Sequence, residues 1–365
     1  MMGPNSTIIN FHLIHQTPIT SVVTIVYINH RLQNLRPLLN FTNPTSTSSL
    51  LHYFLLLTSN MSAQTAVAQP TGRQYHSTSS PYVLPNDAVE QDRLDAQAAA
   101  IVEMIGGSPF LAPVRSMSGI SKAVDVGCGT GVATVQLATI FPEAKVYGLD
   151  LSPVPDEVKK IAPANTRWAT GNILEADDTR PAEDVMNREI FTPGGLDYIF
   201  GRMLFLGINN WQQYFLTAAK SLRSGGIIEH QDLDWKFYRA GTSDCLSDEW
   251  EWHRVVCGGA EHAGLSTRSG SGAAKFMEES GLEVLSVQTF EFSFVPSSKT
   301  PNSQAMGRYV QAKLMPNYPE LLRKMLGAKG ITGSELERLT KDCLRDLSSE
   351  PGVHQKYTVT IARKP

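Results

Sequence analysis

Before Asp87 the sequence contains no aspartate or glutamate, and residues 1–60 contain no lysine either. This stretch carries only Arg31 and Arg36 as fixed cations, together with His12, His15, His30 and His52. A secretory signal needs a basic start, and residues 1–20 have no Lys or Arg, so the match is poor. Transit peptides are usually richer in arginine. Met61 followed by Ser-Ala-Gln-Thr-Ala reads as a working N-terminus. Residues 1–60 are therefore expected to be a leader absent from the working protein, which the intact mass of the native protein checks. Residues 61–85 are expected to form an extended or disordered arm, with the folded domain over 86–365.

Cysteine is scarce. Cys128, Cys245, Cys257 and Cys343 form no CxxC pair and no zinc spacing, which excludes a disulfide scaffold and a zinc module. Long apolar runs are missing too: Leu50–Leu57, interrupted by His52, is far shorter than a membrane span. There is no basic excess. Residues 61–365 carry 30 basic and 35 acidic groups, so no nucleic-acid-binding field is expected, nor a membrane partner. With 42% apolar and 18% charged residues, the rest is a globular chain and not a disordered one.

From residue 86 onward, helix and strand signals alternate. Asp87-x-x-Glu90 has capping-box spacing ahead of a stripe formed by Leu94, Ala98, Ile101 and Ile105, and Gly106-Gly107 closes that helix. Apolar runs at 123–127, 145–150, 166–172, 196–203 and 226–232 read as strands. Helical segments near 131–141, 153–161 and 207–223 separate them. Two helices, near 247–263 and 268–281, precede strands at 282–295 and 356–363. The alternation predicts an α/β fold with a mostly parallel sheet covered on both faces. Residues 302–349, two or three helices before the last strand, are longer than a connection needs and are a candidate lid.

The first strand runs through Val124-Asp125-Val126 into Gly127-Cys128-Gly129-Thr130-Gly131 and then into a helix. Alternating glycines permit a tight turn and let backbone approach a ligand, and the helix N-terminus favours anionic or accepting groups. Because residue 132 is Val, the pattern is G-x-G-x-G and not the dinucleotide fingerprint G-x-G-x-x-G. Asp150, at the end of the second strand, can accept both hydroxyls of a ribose or can cap the helix after it. The fifth strand ends in Glu229-His230-Gln231-Asp232, with alternation placing His230 and Asp232 on one face. His230 is the candidate general base, since its ordinary pKa lies near neutrality, against the blander reading of a polar strand end. His230-x-Asp232 lacks a third metal ligand, so no metal is expected. Trp235, Phe237, Tyr238, Trp250 and Trp252 either wall a pocket for a flat aromatic molecule or pack a helix onto the sheet. Met306, Met315, Tyr309 and Tyr318 are candidates to line the lid.

The glycine loop resembles motif I of class I S-adenosylmethionine (SAM)-dependent methyltransferases. Arg73-x-Tyr75, Tyr82–Asp87, Glu90-x-x-Arg93-Leu94-Asp95, Leu196–Met203 and Ser221–Gly226 narrow this to the fungal LaeA-like family. The resemblance implies a Rossmann-like seven-stranded sheet, ordered 3-2-1-4-5-7-6 with an antiparallel last strand. It implies SAM as the cofactor, with Gly127, Cys128, Gly129 and Gly131 packing against its amino acid and ribose. Asp125 would organise the amino-group side and Asp150, with Leu151 beside it, would hold the ribose. Asn172 would accept from the adenine amino group through its amide oxygen, Ile173 would flank the ring, and Arg202 would complete the site. The expected activity is O- or N-methylation of a small, aromatic secondary metabolite in the cytoplasm. The alternatives are a nuclear regulator of secondary metabolism, or a SAM-binding scaffold without catalysis. The sequence does not fix the oligomeric state.

Overall fold

Parallel pairing begins at the strand that precedes the glycine loop. In the computed structural model, which describes residue 84 and residues 87–176, 189–327 and 329–365, β1 (Lys122–Val126) lies between β2 (Lys145–Asp150) and β4 (Leu196–Arg202). β3 (Thr166–Thr170) flanks β2, and β5 (Leu222–Tyr238) flanks β4. The last strand, β7 (His354–Arg363), inserts antiparallel between β5 and β6 (Glu283–Ser293). The order is thus β3-β2-β1-β4-β5-β7-β6, as the resemblance implies. The expected leader, the arm at 61–85 apart from Leu84, and the Arg73-x-Tyr75 motif lie outside the described residues, which all fall within one unit, Gly72–Pro365.

Period-two alternation gives each strand two apolar faces, so both sides of the sheet need covering. On one side Val124, Ile199 and Ile228 pack with Phe215 and Ala218 of α4 (Trp211–Ser221) and Ala273 and Met277 of α6 (Ser269–Glu279). On the other, Ala123, Tyr198 and Phe200 pack with Leu137 and Ala138 of α2 (Val132–Ile140) and Ile101 of α1 (Ala88–Met104). A short α3 (Asp156–Ile161) follows β2, and α5 (Glu251–His262) follows β5. The segment before β7 contains α7 (Gln304–Tyr309), α8 (Tyr318–Gly327) and α9 (Gly333–Leu347), with a π-turn at Val310–Leu314.

One local reading needs correction. Asp87 caps α1 as expected, accepting from Glu90 N–H at 3.1 Å, and the Glu90 carboxylate takes Arg93 as a charged partner at 2.6 Å. The fifth strand continues past Asp232 to Tyr238, because after a register shift between Leu233 and Phe237 it pairs again with the start of β7.

Candidate functional site

The carboxyl ends of β1 to β4 meet at one cleft, with a cavity volume of about 280 Å³. This is where open α/β sheets bind ligands. The glycine loop folds sharply because Gly127, Gly129 and Gly131 have φ of 66°, 55° and 85°. A Cβ on Gly127 would press on Leu204 Cδ2 and would sit at a positive φ that residues with side chains rarely adopt. Asp150 braces the loop, its Oδ2 accepting from Gly129 N–H at 2.8 Å and its Oδ1 from Ser152 N–H at 2.9 Å. Thr130 Oγ1 donates to Asp95 of α1 at 2.6 Å, which ties the N-terminal helix to the loop. Burial raises the Asp95 pKa above the usual carboxylate value.

Gly127, Cys128, Gly129, Asp150, Leu151, Asn172, Ile173 and Arg202 all line the cleft, so the structure brings these expected residues together. Cys128 is buried, which pushes its thiol pKa well up and leaves a small apolar wall. Asn172 Oδ1 accepts from Leu174 N–H at 3.1 Å, so one of its lone pairs serves the local turn. Met203, directly after Arg202, has a φ of 57°, an uncommon conformation for a residue with a side chain. It too borders the cleft.

Three expected residues are elsewhere. Asp125 points away from the cleft into the layer between β1 and α2, where Thr134 Oγ1 donates to its Oδ2 at 2.7 Å. Burial raises its pKa to about 7, and it supports the loop from behind instead of meeting a ligand's amino group. Gly131 caps α2, and a Cβ there would meet the Trp168 ring at 2.7 Å, so its role is helix-to-sheet packing. His230 is fully buried on the α4 side of the sheet, with ring centroids of Trp211, Tyr214 and Phe215 at 5.1, 5.8 and 5.4 Å. Desolvation lowers its pKa to about 3. It cannot reach a substrate in the cleft, and the general-base assignment is withdrawn.

Beyond Leu233 the cleft is lined mainly by apolar side chains, forming an apolar chamber. Trp235, Phe237 and Trp252 of the predicted aromatic wall line it, joined by Phe205, Phe292 and Phe294, whereas Tyr238 and Trp250 do not. Of the four lid candidates only Tyr318 reaches the cleft. Tyr309 instead holds the N-terminal helix: its hydroxyl accepts from Arg93 Nη1 at 2.6 Å, while Arg93 makes three contacts to Glu90. Glu90, Arg93 and Leu94 line the cleft directly, so the family signature on α1 forms part of its roof. His253, on α5, also lines it and bonds the Trp235 carbonyl through Nε2 at 2.7 Å. A carbonyl only accepts, so this nitrogen carries the proton. Sequence reasoning missed Phe205, His253 and the pair Phe292 and Phe294 because they come from three segments far apart in the chain.

The sequence matches a known family. A family model described as a methyltransferase domain matches residues 98–287, more than half of the chain. The chain belongs to the methyltransferase domain family. As a class I fold with a LaeA-like sequence, this methyltransferase takes SAM as its cofactor, and the donor set fits it. Side-chain-free backbone at a helix N-terminus, a carboxylate at the end of β2 and apolar flanks at Leu151 and Ile173 are what its amino acid, ribose and adenine require.

Among similar curated proteins is the secondary metabolism regulator laeA of Coprinopsis cinerea, 31% identical over 161 residues. That match spans 43% of this methyltransferase and 37% of the relative. Methyltransferase str2 of Strobilurus tenacellus is 28% identical over 155 residues, 42% of this chain and 50% of that protein. The laeA regulator of Aspergillus fumigatus is 39% identical over 177 residues, 46% of this chain and 41% of the relative. The chain thus spans half or less of the length of these relatives. A solved structure of a putative sarcosine dimethylglycine methyltransferase from Galdieria sulphuraria is 14% identical, with a TM-score of 0.44, over 86% of this chain and 97% of that one. Among the described residues no helix is long and apolar enough to cross a membrane.

Proposed function

We propose that this methyltransferase transfers the SAM methyl group to oxygen or nitrogen of a small, largely apolar metabolite. The observation that carries this reading is the continuity of the cleft: the glycine loop and Asp150 open directly into a chamber walled by aromatic side chains. Such a chamber receives a compact ring system with little polar surface. When bound, SAM supplies a methyl group already activated as an electrophile, so the chain needs to position and desolvate its two ligands. Asp150, at the end of β2 and lining the cleft, would accept from the ribose hydroxyls. Arg202, which lines the cleft at the end of β4, would receive the carboxylate of the cofactor's amino acid. Glu90, Arg93 and Leu94, which line the cleft, would shield the junction of the two halves from water.

Calorimetric titration with SAM tests the cofactor, and metabolite profiling after gene deletion tests the rest. Accumulation of one unmethylated compound supports a tailoring enzyme. The regulator names of the laeA relatives favour a second reading, a nuclear regulator of secondary metabolism. Collective loss of products from many pathways would select it, and SAM binding without any methylated product would select a scaffold.

A further inference from the structure

Among the buried polar residues that line the cleft, Glu90 and Arg93 pair with each other, Thr130 donates to Asp95, and His253 bonds the Trp235 carbonyl. The remaining two, Gln97 and Gln355, have side-chain amides without a hydrogen-bond partner among the described residues. The unpartnered side-chain atoms that are sealed from solvent belong to other residues, so the oxygen and nitrogen of both amides keep accessible surface. Gln97 sits on α1 one turn after Leu94, which lies against Gly129 in the cofactor half.

Gln355 belongs to the chamber. It is the second residue of β7 and only 8% exposed. It stands directly opposite Phe237 of β5 on one side and Phe292 of β6 on the other. Directly opposed residues in a sheet project to the same face, and both phenylalanines line the chamber, so the amide projects between them. Phe294 completes the group, its ring centroid 4.9 Å from that of Phe237 and 6.1 Å from that of Phe292. The sequence neighbours His354 and Lys356 face the other way, against the Tyr238 ring, which does not line the chamber. A ligand that fills the chamber takes the Gln355 amide out of water and must replace the hydrogen bonds it loses there.

We propose that Gln355 determines the specificity of the chamber and selects a flat ring molecule carrying an N–H beside a carbonyl, a lactam edge. An amide presents an acceptor and donors side by side in one plane. The ligand N–H would donate to Oε1 while its carbonyl accepts from Nε2, the two-bond geometry by which glutamine reads the donor–acceptor edge of adenine. A lone carbonyl would leave Oε1 unpaired. The adenine of SAM is not this partner: it would lie at Asn172 after β3, five strand positions from β7 and about 24 Å away by strand spacing. The proposal names the substrate class of the methyl-transfer site and rests on that reading of the cleft.

The test compares 2-quinolone with coumarin, which has the same shape and carbonyl but a ring oxygen in place of the N–H. Both are titrated calorimetrically into the full chain saturated with S-adenosylhomocysteine, the demethylated cofactor, so that no turnover occurs. 2-Quinolone is expected to bind about tenfold tighter, equivalent to ~1.4 kcal/mol. In Gln355→Met, which keeps a side chain of similar length, the preference should vanish or reverse, because the lactam N–H is then buried without an acceptor. In wild-type protein 2-quinolone should move one side-chain amide NH2 pair downfield, a readout that needs no variant to fold. Equal or reversed affinities in wild type, a preference retained in Gln355→Met, no binding of 2-quinolone, or unmoved amide resonances would each overturn the proposal. SAM affinity is measured first. Failure there strikes the methyltransferase reading, and the probe comparison then runs on the chain alone.

Discussion

Asp150→Ala is the substitution that most directly probes the cofactor site. The carboxylate has two jobs: it fixes the loop through Gly129 N–H at 2.8 Å and faces the cleft where a ribose would lie. Removing a charge-assisted contact to the ribose costs about 1.5–3 kcal/mol. That is roughly ten- to a hundredfold in SAM affinity. Losing the brace adds to this, because Gly129, at φ 55°, no longer has a partner to hold its turn. The fold should survive, since Asp150 is only partly buried and ends its strand. Asp150→Asn separates the two jobs. Its amide oxygen still accepts from Gly129 N–H, so its loss should be smaller and should reflect the missing charge. Calorimetry with SAM on the three proteins, alongside thermal melts, reads both effects. Wild-type affinity in Asp150→Ala with an unchanged melting temperature would show that the cofactor lies elsewhere.

Other expectations follow from the same geometry. Asp125 has a folded pKa raised to about 7 by burial, so the folded state holds its proton more tightly than the unfolded chain does. Its contribution is therefore full below pH ~4 and is lost as pH rises toward 7. Asp125→Asn, which keeps the acceptor for Thr134, should flatten that decline in melts between pH 4 and 8, and parallel curves would sink the argument. Arg93→Ala removes the buried cation paired with Glu90 and should cost about 3–5 kcal/mol, seen as a large drop in melting temperature. The double variant Glu90→Gln, Arg93→Met should recover much of this, and additive losses would show that the pair is not coupled. His230→Ala should cost about 2–4 kcal/mol by opening a cavity among three aromatic rings, with SAM affinity held within about twofold. A large loss of SAM binding in a folded His230→Ala protein would return that residue to the site.

The sequence was most readable where one residue type has one structural use. Three alternating glycines between a strand and a helix announce a turn with positive φ, and the structure has that turn, with Asp150 against it. Spacing alone did not say which member of the motif meets a ligand: Asp125 and Gly131 belong to it but face α2 and Trp168. Facing is decided by which helix covers which side of the sheet. For His230, alternation separated it correctly from Glu229 and Gln231, yet the bearing of that face emerged only once α4 brought Trp211, Tyr214 and Phe215 over it. A polar residue at a predicted strand end looks open to solvent. Because β5 runs on to Tyr238, His230 is mid-strand and buried, and the true edge of the chamber moves to Trp235. The register shift that places Trp235 depends on β7, more than a hundred residues later in the chain. Long-range pairing of this kind leaves no local periodicity to detect. The substrate chamber was therefore less legible than the cofactor half, whose contacts come from short turns at the ends of consecutive strands.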